Sequence, residues 1–283
     1  MRLKGIRGSR NIEDRRRQGG RMAGGGGRAG GLGLGAVLVI LALGYFTGLD
    51  VTPLLTGDQP GQTVSRPLSE ADEQAADFTA RVLATTEEVW STRFREELGA
   101  DYTPPVLVLF AGVTGSPCGG ASGATGPFYC PVDRKAYLDT EFFATLSRRL
   151  GAGGDFAAAY VIAHEVAHHV QNELGILPRV NELRQRASQV EANALTVRLE
   201  LQADCLSGVW AASVQGLMER GDLAEALNAA RMIGDDRLQR QAGRVPQPHT
   251  FTHGTSEQRS RWFERGFDQG RIAACDTFSA RQL

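Results

Sequence analysis

Eight residues, His164 to Gln171, read HEVAHHVQ in a chain of 283 residues that holds only five histidines. At this usage of His and Glu the pattern H-E-x-x-H is expected roughly 0.005 times per chain by chance, so the run needs a chemical reason. On a helix, positions i and i+4 share a face one turn apart. His164 and His168 can therefore direct imidazole nitrogens to a single point, as two ligands of a zinc ion do at about 2.0 to 2.1 Å. Glu165 stands beside that face, where a carboxylate can take a proton from water made acidic by the metal, whose pKa zinc lowers to roughly 7. A purely structural metal site has no use for that glutamate.

Two histidines leave the site incomplete, because catalytic zinc normally takes three protein ligands. The segment RLELQADCLSG (198 to 208) offers Glu200 and Asp204, again at i and i+4. With Glu200 as third ligand, Asp204 is left one turn away to accept a hydrogen bond from a ligating histidine and fix its tautomer. Glu191 competes for the same place, but nine residues earlier on a helix it faces the other way. Paired with Arg198, the two acids could instead be a solvated stripe, yet Leu199, Leu201, Ala203, Leu206 and Val209 around them are too apolar for that. Zinc is the expected ion, one per chain, although two imidazoles and a carboxylate also suit other divalent metals.

Acyl chemistry at such a site wants a further donor for the developing oxyanion. His253 is the first candidate, in a loop just ahead of a capped helix, with an ordinary loop histidine as the alternative; Tyr160 is the weaker choice. His169 points about 100° away from its neighbour His168 around the helix, which places it behind the ligands or on the surface, and His249 reads as surface. Lys135 to Asp139 reads either as an edge strand able to pair with an extended peptide or as an ordinary buried strand.

The elements that must carry these residues are mostly helices. A helix starts at Ser69, whose third following residue is Asp72, and Phe78, Val82, Leu83, Val89, Trp90 and Phe94 keep helical spacing until Gly99. PPVLVLF (104 to 110) reads as a strand, the Gly-rich region 112 to 126 as loop, and FYCPVDRKAYLD (128 to 139) as one or two short strands. Helices are expected over 142 to 150 and 156 to 174, the second broken by Gly175 and Pro178. One long helical stretch follows from about Arg179 to Met218, then a helix from Leu223 to Ile233 behind Asp222. Thr255-x-x-Gln258 opens the last in capping-box form. No internal repeat is found, and the fold class is α+β, helix-rich with a small sheet.

Charge is divided unevenly. Residues 1 to 28 hold nine Lys/Arg and two acids, while residues 50 to 283 hold 22 bases and 30 acids, a balance of -8 that argues against nucleic acid as a partner. Ala29 to Leu49 is a 21-residue stretch without charge, centred on LGLGAVLVILALGYF. At 1.5 Å per residue it can just cross a hydrocarbon layer about 30 Å thick. Arg15, Arg16, Arg17, Arg21 and Arg28 precede it and Asp50 follows, so the positive-inside tendency leaves the N-terminus in the cytoplasm and exports the rest. A cleaved signal peptide would have a shorter apolar region and a small-x-small site, which YFTGLDV lacks. Residues 50 to 67, with three prolines and no periodicity, read as a linker. All four cysteines follow the apolar stretch, which fits export and two disulfides. Cys118 with Cys130 and Cys205 with Cys275 are the simplest pairing, against four buried thiols.

HEVAHHVQ, then RLELQADCLSGVWA, then THGTSEQRSRWFERG (252 to 266), together resemble the bacterial "putative neutral zinc metallopeptidase" family, which belongs with the gluzincin-like HExxH peptidases. RGSRNIEDRR (7 to 16) and GPFYCPVDRKAYLD (126 to 139) match as well, so the resemblance spans nearly the whole chain. It implies a zincin-like hydrolase domain with His164, His168 and Glu200 as ligands and Glu165 as base. The expected organisation is a basic cytoplasmic tail (1–28), a transmembrane signal anchor (29–49), a linker (50–68) and a zinc metallopeptidase domain (69–283) acting on peptide or protein substrates outside the cytoplasm. Two other functions use the same residues. A zinc hydrolase of a non-peptide, cell-wall amide is separated by substrate assay. A non-catalytic, membrane-anchored zinc-binding or assembly protein is separated by Glu165→Gln, which would leave its role intact.

Overall fold

The computed structural model describes residues 1–17, 68–122, 126–148 and 151–283. The apolar stretch 29–49 and residues 50–67 of the expected linker lie outside them. Among the described residues no helix is long and apolar enough to cross a membrane.

Helix α1, Glu70–Arg93, begins as its sequence signal requires: Ser69 and Asp72 form a reciprocal capping box. It widens into a π-helical turn, residues 94–98, and is stopped by Gly99 in the left-handed region, φ 62°. The sheet beside it has four strands in the order β1-β2-β6-β5. Strands β1 (Ile12–Asp14), β2 (Val106–Phe110) and β6 (Lys135–Asp139) run parallel, and β5 (Phe128–Cys130) lies antiparallel on β6 as the far edge. Of the two readings of Lys135 to Asp139 the ordinary buried strand holds, because β2 and β5 pair on its two sides. One expectation is corrected here. The region from 112, expected as loop, contains a separate hairpin of β3 (Val113–Ser116) and β4 (Gly119–Ser122). Cys118 in its turn is bridged to Cys130 on β5.

Residues 1–17 are not a separate tail either. Ile12, Glu13 and Asp14 extend the sheet, and the side chains of Met1 and Leu3 sit in the core. Parallel pairing needs a long crossover, and three residues reading IED carry no strand periodicity, so nothing local in the sequence announced it.

The remaining helices are α2 (Phe142–Arg148), α3 (Asp155–Glu173), α4 (Ile176–Arg186), α5 (Gln189–Ser213), α6 (Asp222–Met232), α7 (Asp235–Gln241) and α8 (Ser256–Gln269). The expected single stretch from Arg179 to Met218 is two helices: Ser188 and Glu191 form a capping box that starts α5 afresh. Asp222 does not cap α6 by side chain; Gly221 holds that position and Asp222 accepts from the Glu219 amide. Helix α3 is almost wholly buried, with Ala157, Ala159, Ala163 and Ala167 in the core, and it packs against both α5 and α6. Phe156 on α3 stacks on Trp210 of α5 with ring centroids 5.7 Å apart, a geometry worth about 0.5–1.5 kcal/mol beyond burial.

Helices α5 and α8 approach through two glycines. A Cβ on Gly208 would lie 2.1 Å from the Phe263 carbonyl oxygen, and one on Gly266 would lie 1.8 Å from that of Cys205. This backbone-to-backbone contact fixes what α8 presents to Asp204. The disulfide Cys205–Cys275 ties the same part of α5 to the C-terminal segment. Both cysteine pairs are thus as the sequence suggests.

Candidate active site

Helices α3 and α5 bring His164, His168 and Glu200 together. His164 Nε2 lies 3.2 Å from one Glu200 oxygen and His168 Nε2 lies 3.4 Å from the other. The three side chains offer one ligand atom each within a mutual span of 4.8 Å. A tetrahedral zinc with bonds of about 2.0–2.1 Å needs its ligand atoms about 3.3 Å apart, and each histidine stands at close to that distance from one of the two Glu200 oxygens. The side chains remain 8%, 12% and 13% exposed, opening on a cleft. Glu191, the rival for the third position, is spent on capping Ser188.

Each histidine is oriented from behind, by different chemistry. His164 Nδ1 lies 3.0 Å from Asp204 Oδ1, off the line of a straight hydrogen bond. Asp204 can only accept, so the ring's proton belongs on Nδ1 and Nε2 is left for a ligand. Asp204 is fully buried and also receives Tyr160 Oη at 2.5 Å and Arg259 Nε and Nη2 at 2.8 and 2.9 Å. Burial raises the Asp204 pKa, but Arg259 and His164 outweigh it and hold it below the usual range. Burial likewise opposes charge on His164, yet Asp204 and Glu200 carry its pKa up to about 10. Glu200 is pushed up by burial and pulled well below the ordinary value by the two histidines.

His168 is held by amides. Its Nδ1 lies 2.9 Å from Gln171 Oε1, and Gln171 Nε2 donates to the Leu199 carbonyl at 2.7 Å and to Gln202 Oε1 at 3.1 Å. Gln202 Nε2 in turn donates to the Cys275 carbonyl at 2.9 Å. Both ends are carbonyls, which only accept, so each amide nitrogen must face them. Gln171 Oε1 is thereby left facing the ring, and His168 carries its proton on Nδ1 with Nε2 free.

The cleft in front measures about 520 Å³, and Glu165, Glu200, His253 and Arg259 line it together with Phe128, Tyr129, Leu177, Leu199 and Ile233. Among the described residues none hydrogen-bonds the Glu165 carboxylate, and burial raises its pKa, as suits a base that must collect a proton and pass it on. His253 reaches the cleft half-exposed, with Nδ1 3.3 Å from Asp235 Oδ1. Asp235 Oδ2 also accepts the amides of Thr252, His253 and Gly254, at 2.7, 2.6 and 3.1 Å, so one carboxylate shapes the loop and aims the ring. Burial opposes its charge, but Asp235 and Glu200 raise the His253 pKa.

The family described as "Putative neutral zinc metallopeptidase" matches residues 1–278. The chain belongs to that family. Among its relatives are "Uncharacterized protein YpfJ" of Escherichia coli K12, 52% identical over 98% of this chain and 99% of the relative, and "Uncharacterized protein Rv2575" of Mycobacterium tuberculosis, 41% identical over 81% and 86%. No solved structure matches significantly.

Four residues that surround the site in the structure, Arg259, Gln171, Gln202 and Asp235, were missed in the sequence. Gln171 carried a usable signal, since it lies three residues after His168 on the same helical face. Arg259 carried none, because its partner Asp204 is 55 residues away. Tyr160 is committed to Asp204 rather than poised as an oxyanion donor. His169 is buried, not on the surface: it joins Tyr129 Oη on β5 (3.0 Å) to the Thr103 carbonyl (2.7 Å) and so ties the edge strand to α3. His249 is exposed, as expected.

Proposed function

We propose that this protein is a zinc-dependent peptidase in which His164, His168 and Glu200 hold one ion and Glu165 is the general base. The observation that carries the reading is the convergence of three ligand atoms within 4.8 Å of one another with an unengaged carboxylate beside them in an open cleft. Zinc bound there supplies Lewis acidity, polarising a peptide carbonyl and making water easier to deprotonate. Glu165 takes the proton from the attacking water and hands it to the departing amine. His253, aimed by Asp235, donates to the oxyanion that develops on the substrate carbonyl, a contribution worth about 3–4 kcal/mol. Strand β5 is the sheet edge at the cleft, where its backbone can pair with an extended peptide at little cost in sequence preference. The apolar walls at Phe128, Leu177, Leu199 and Ile233 accept side chains. Two disulfides support action outside the reducing cytoplasm.

The test is metal analysis and a broad peptide library applied to the full chain and its Glu165→Gln variant. One zinc per chain in both, with cleavage by the unaltered protein alone, is the expected result. Equal cleavage by both would remove Glu165 as base. Zinc in both with no cleavage by either, or turnover only of non-peptide amides, would replace the peptidase reading.

A further inference from the structure

The cleft in front of His164, His168 and Glu200 has two unlike ends. Helices α3 and α5 run antiparallel behind it: Tyr160 bonds Asp204 at one end, and Gln171 bonds the Leu199 carbonyl at the other. The His164 end is lined by apolar groups, among them Val161, one turn before His164, and Ile233, whose carbonyl accepts from Arg259. At the His168 end α3 gives way to α4, and there Asn181, Arg184 and Thr196 bring polar groups into the lining. Leu177, Asn181 and Arg184 recur at i, i+4 and i+7 along α4, so one face of that helix is turned to the cleft. At 1.5 Å per residue Arg184 stands about 10 Å along the axis from Leu177, the span of about three residues of an extended peptide.

Arg184 differs from the other cationic groups of the lining in having no carboxylate of its own. Arg259 is bound by Asp204, His164 and His168 face Glu200, and His253 faces Asp235. On α4 itself, Arg179 pairs with Glu182. Among the described residues Arg184 has no ion pair; its Nη1 donates to Asn181 Oδ1 at 3.4 Å, on the same helix face. A guanidinium carries five N–H donors in a fork that matches a carboxylate, so most of them remain for a ligand. The two acids of the lining, Glu165 and Glu200, belong to the reacting centre and do not compete for it.

We propose that Arg184 is a specificity residue that binds a carboxylate of the substrate, from an Asp or Glu side chain or from a peptide C-terminus. This rests on the peptidase reading above and supplies its substrate class: peptides with an acidic group on the His168 side of the cleaved bond and an apolar residue on the other. Because Arg184 is exposed, water and salt weaken the contact. The preference expected is about fivefold to tenfold, falling as ionic strength rises.

The test uses the zinc-loaded full chain, its Arg184→Gln and Arg184→Glu variants, and two peptide series. One places Glu, Gln or Lys at successive positions of an amidated peptide; the other is neutral and ends, at successive lengths, in a free or an amidated C-terminus. Cleavage is read as kcat/KM. Binding of the same peptides, fluorescently labelled, is read on each chain carrying Glu165→Gln in addition, which needs no turnover. The expected result is Glu over Gln over Lys in the first series, for a side-chain carboxylate, or free acid over amide in the second, for a C-terminal one. Arg184→Gln should abolish either preference, and Arg184→Glu should turn the first series toward Lys. Binding with this pattern but no cleavage by any chain would keep Arg184 as the carboxylate site and remove the peptidase reading. Cleavage without a carboxylate preference, or with one that survives Arg184→Gln, would overturn the proposal and leave the peptidase reading standing. Neither binding nor cleavage of any peptide would overturn both.

Discussion

The two histidines of one motif, a single helical turn apart, are held in opposite ways. Behind His164 stands a buried set of charges, Asp204 clamped by Arg259 and Tyr160. Behind His168 stands a neutral relay of Gln171 and Gln202 that ends on backbone carbonyls. Both arrangements leave Nε2 free for a metal. They differ in cost and reach: the charged set demands that every member stay paired, because an uncompensated buried charge costs far more than a lost neutral hydrogen bond. The ionic side should therefore govern stability and proton balance, and the amide side mainly ligand aim.

The largest effect is expected from breaking the ionic side. Asp204→Ala strands the buried Arg259 guanidinium and should cost about 3–5 kcal/mol in stability, read by denaturant unfolding, with zinc affinity falling about 10–100-fold. Next comes Gly266→Ala. Its methyl would meet the Cys205 carbonyl and push α8, with Arg259, away from Asp204, for roughly 1–3 kcal/mol by overpacking. This loss should be smaller when combined with Asp204→Ala than alone, because both act on one contact.

Gln171→Ala attacks the other side. It unmakes the His168 bond and two amide bonds, for about 1–3 kcal/mol, and should add nearly independently to Asp204→Ala. A strong coupling between the two would refute the separation of the two networks. The smallest effect per step is in pH. With the His164 pKa raised to about 10 in the metal-free site, zinc must displace a proton at any lower pH. Affinity should therefore weaken as pH falls, by up to roughly tenfold per unit for that proton. Asp204→Asn removes the charge that holds the proton and should make the slope near neutrality shallower, as zinc titrations across pH would record.

How much of this could be read from the chain follows the range of each interaction. His164, Glu165 and His168 were legible because one helical turn relates them. Glu200 and Asp204 repeat that spacing on a second helix, and the pairing of the two helices followed from chemistry that needed a third ligand. The capping boxes at Ser69 and Thr255 were local and clear. So was Ser188 with Glu191, and overlooking that signal both fused α4 to α5 and kept Glu191 as a rival ligand. What stayed hidden depends on distant partners: β1 finds its place only across the 91 residues, 15 to 105, that separate it from β2, and Arg259 gains its role only because two glycines let α8 touch α5.

The most direct test is anomalous diffraction at the zinc absorption edge from crystals of the full chain grown with zinc. One peak about 2 Å from His164 Nε2, His168 Nε2 and a Glu200 oxygen, with no fourth protein ligand, is the predicted result. A peak elsewhere, a Glu200 carboxylate turned away, or another side chain closing the coordination would contradict the account.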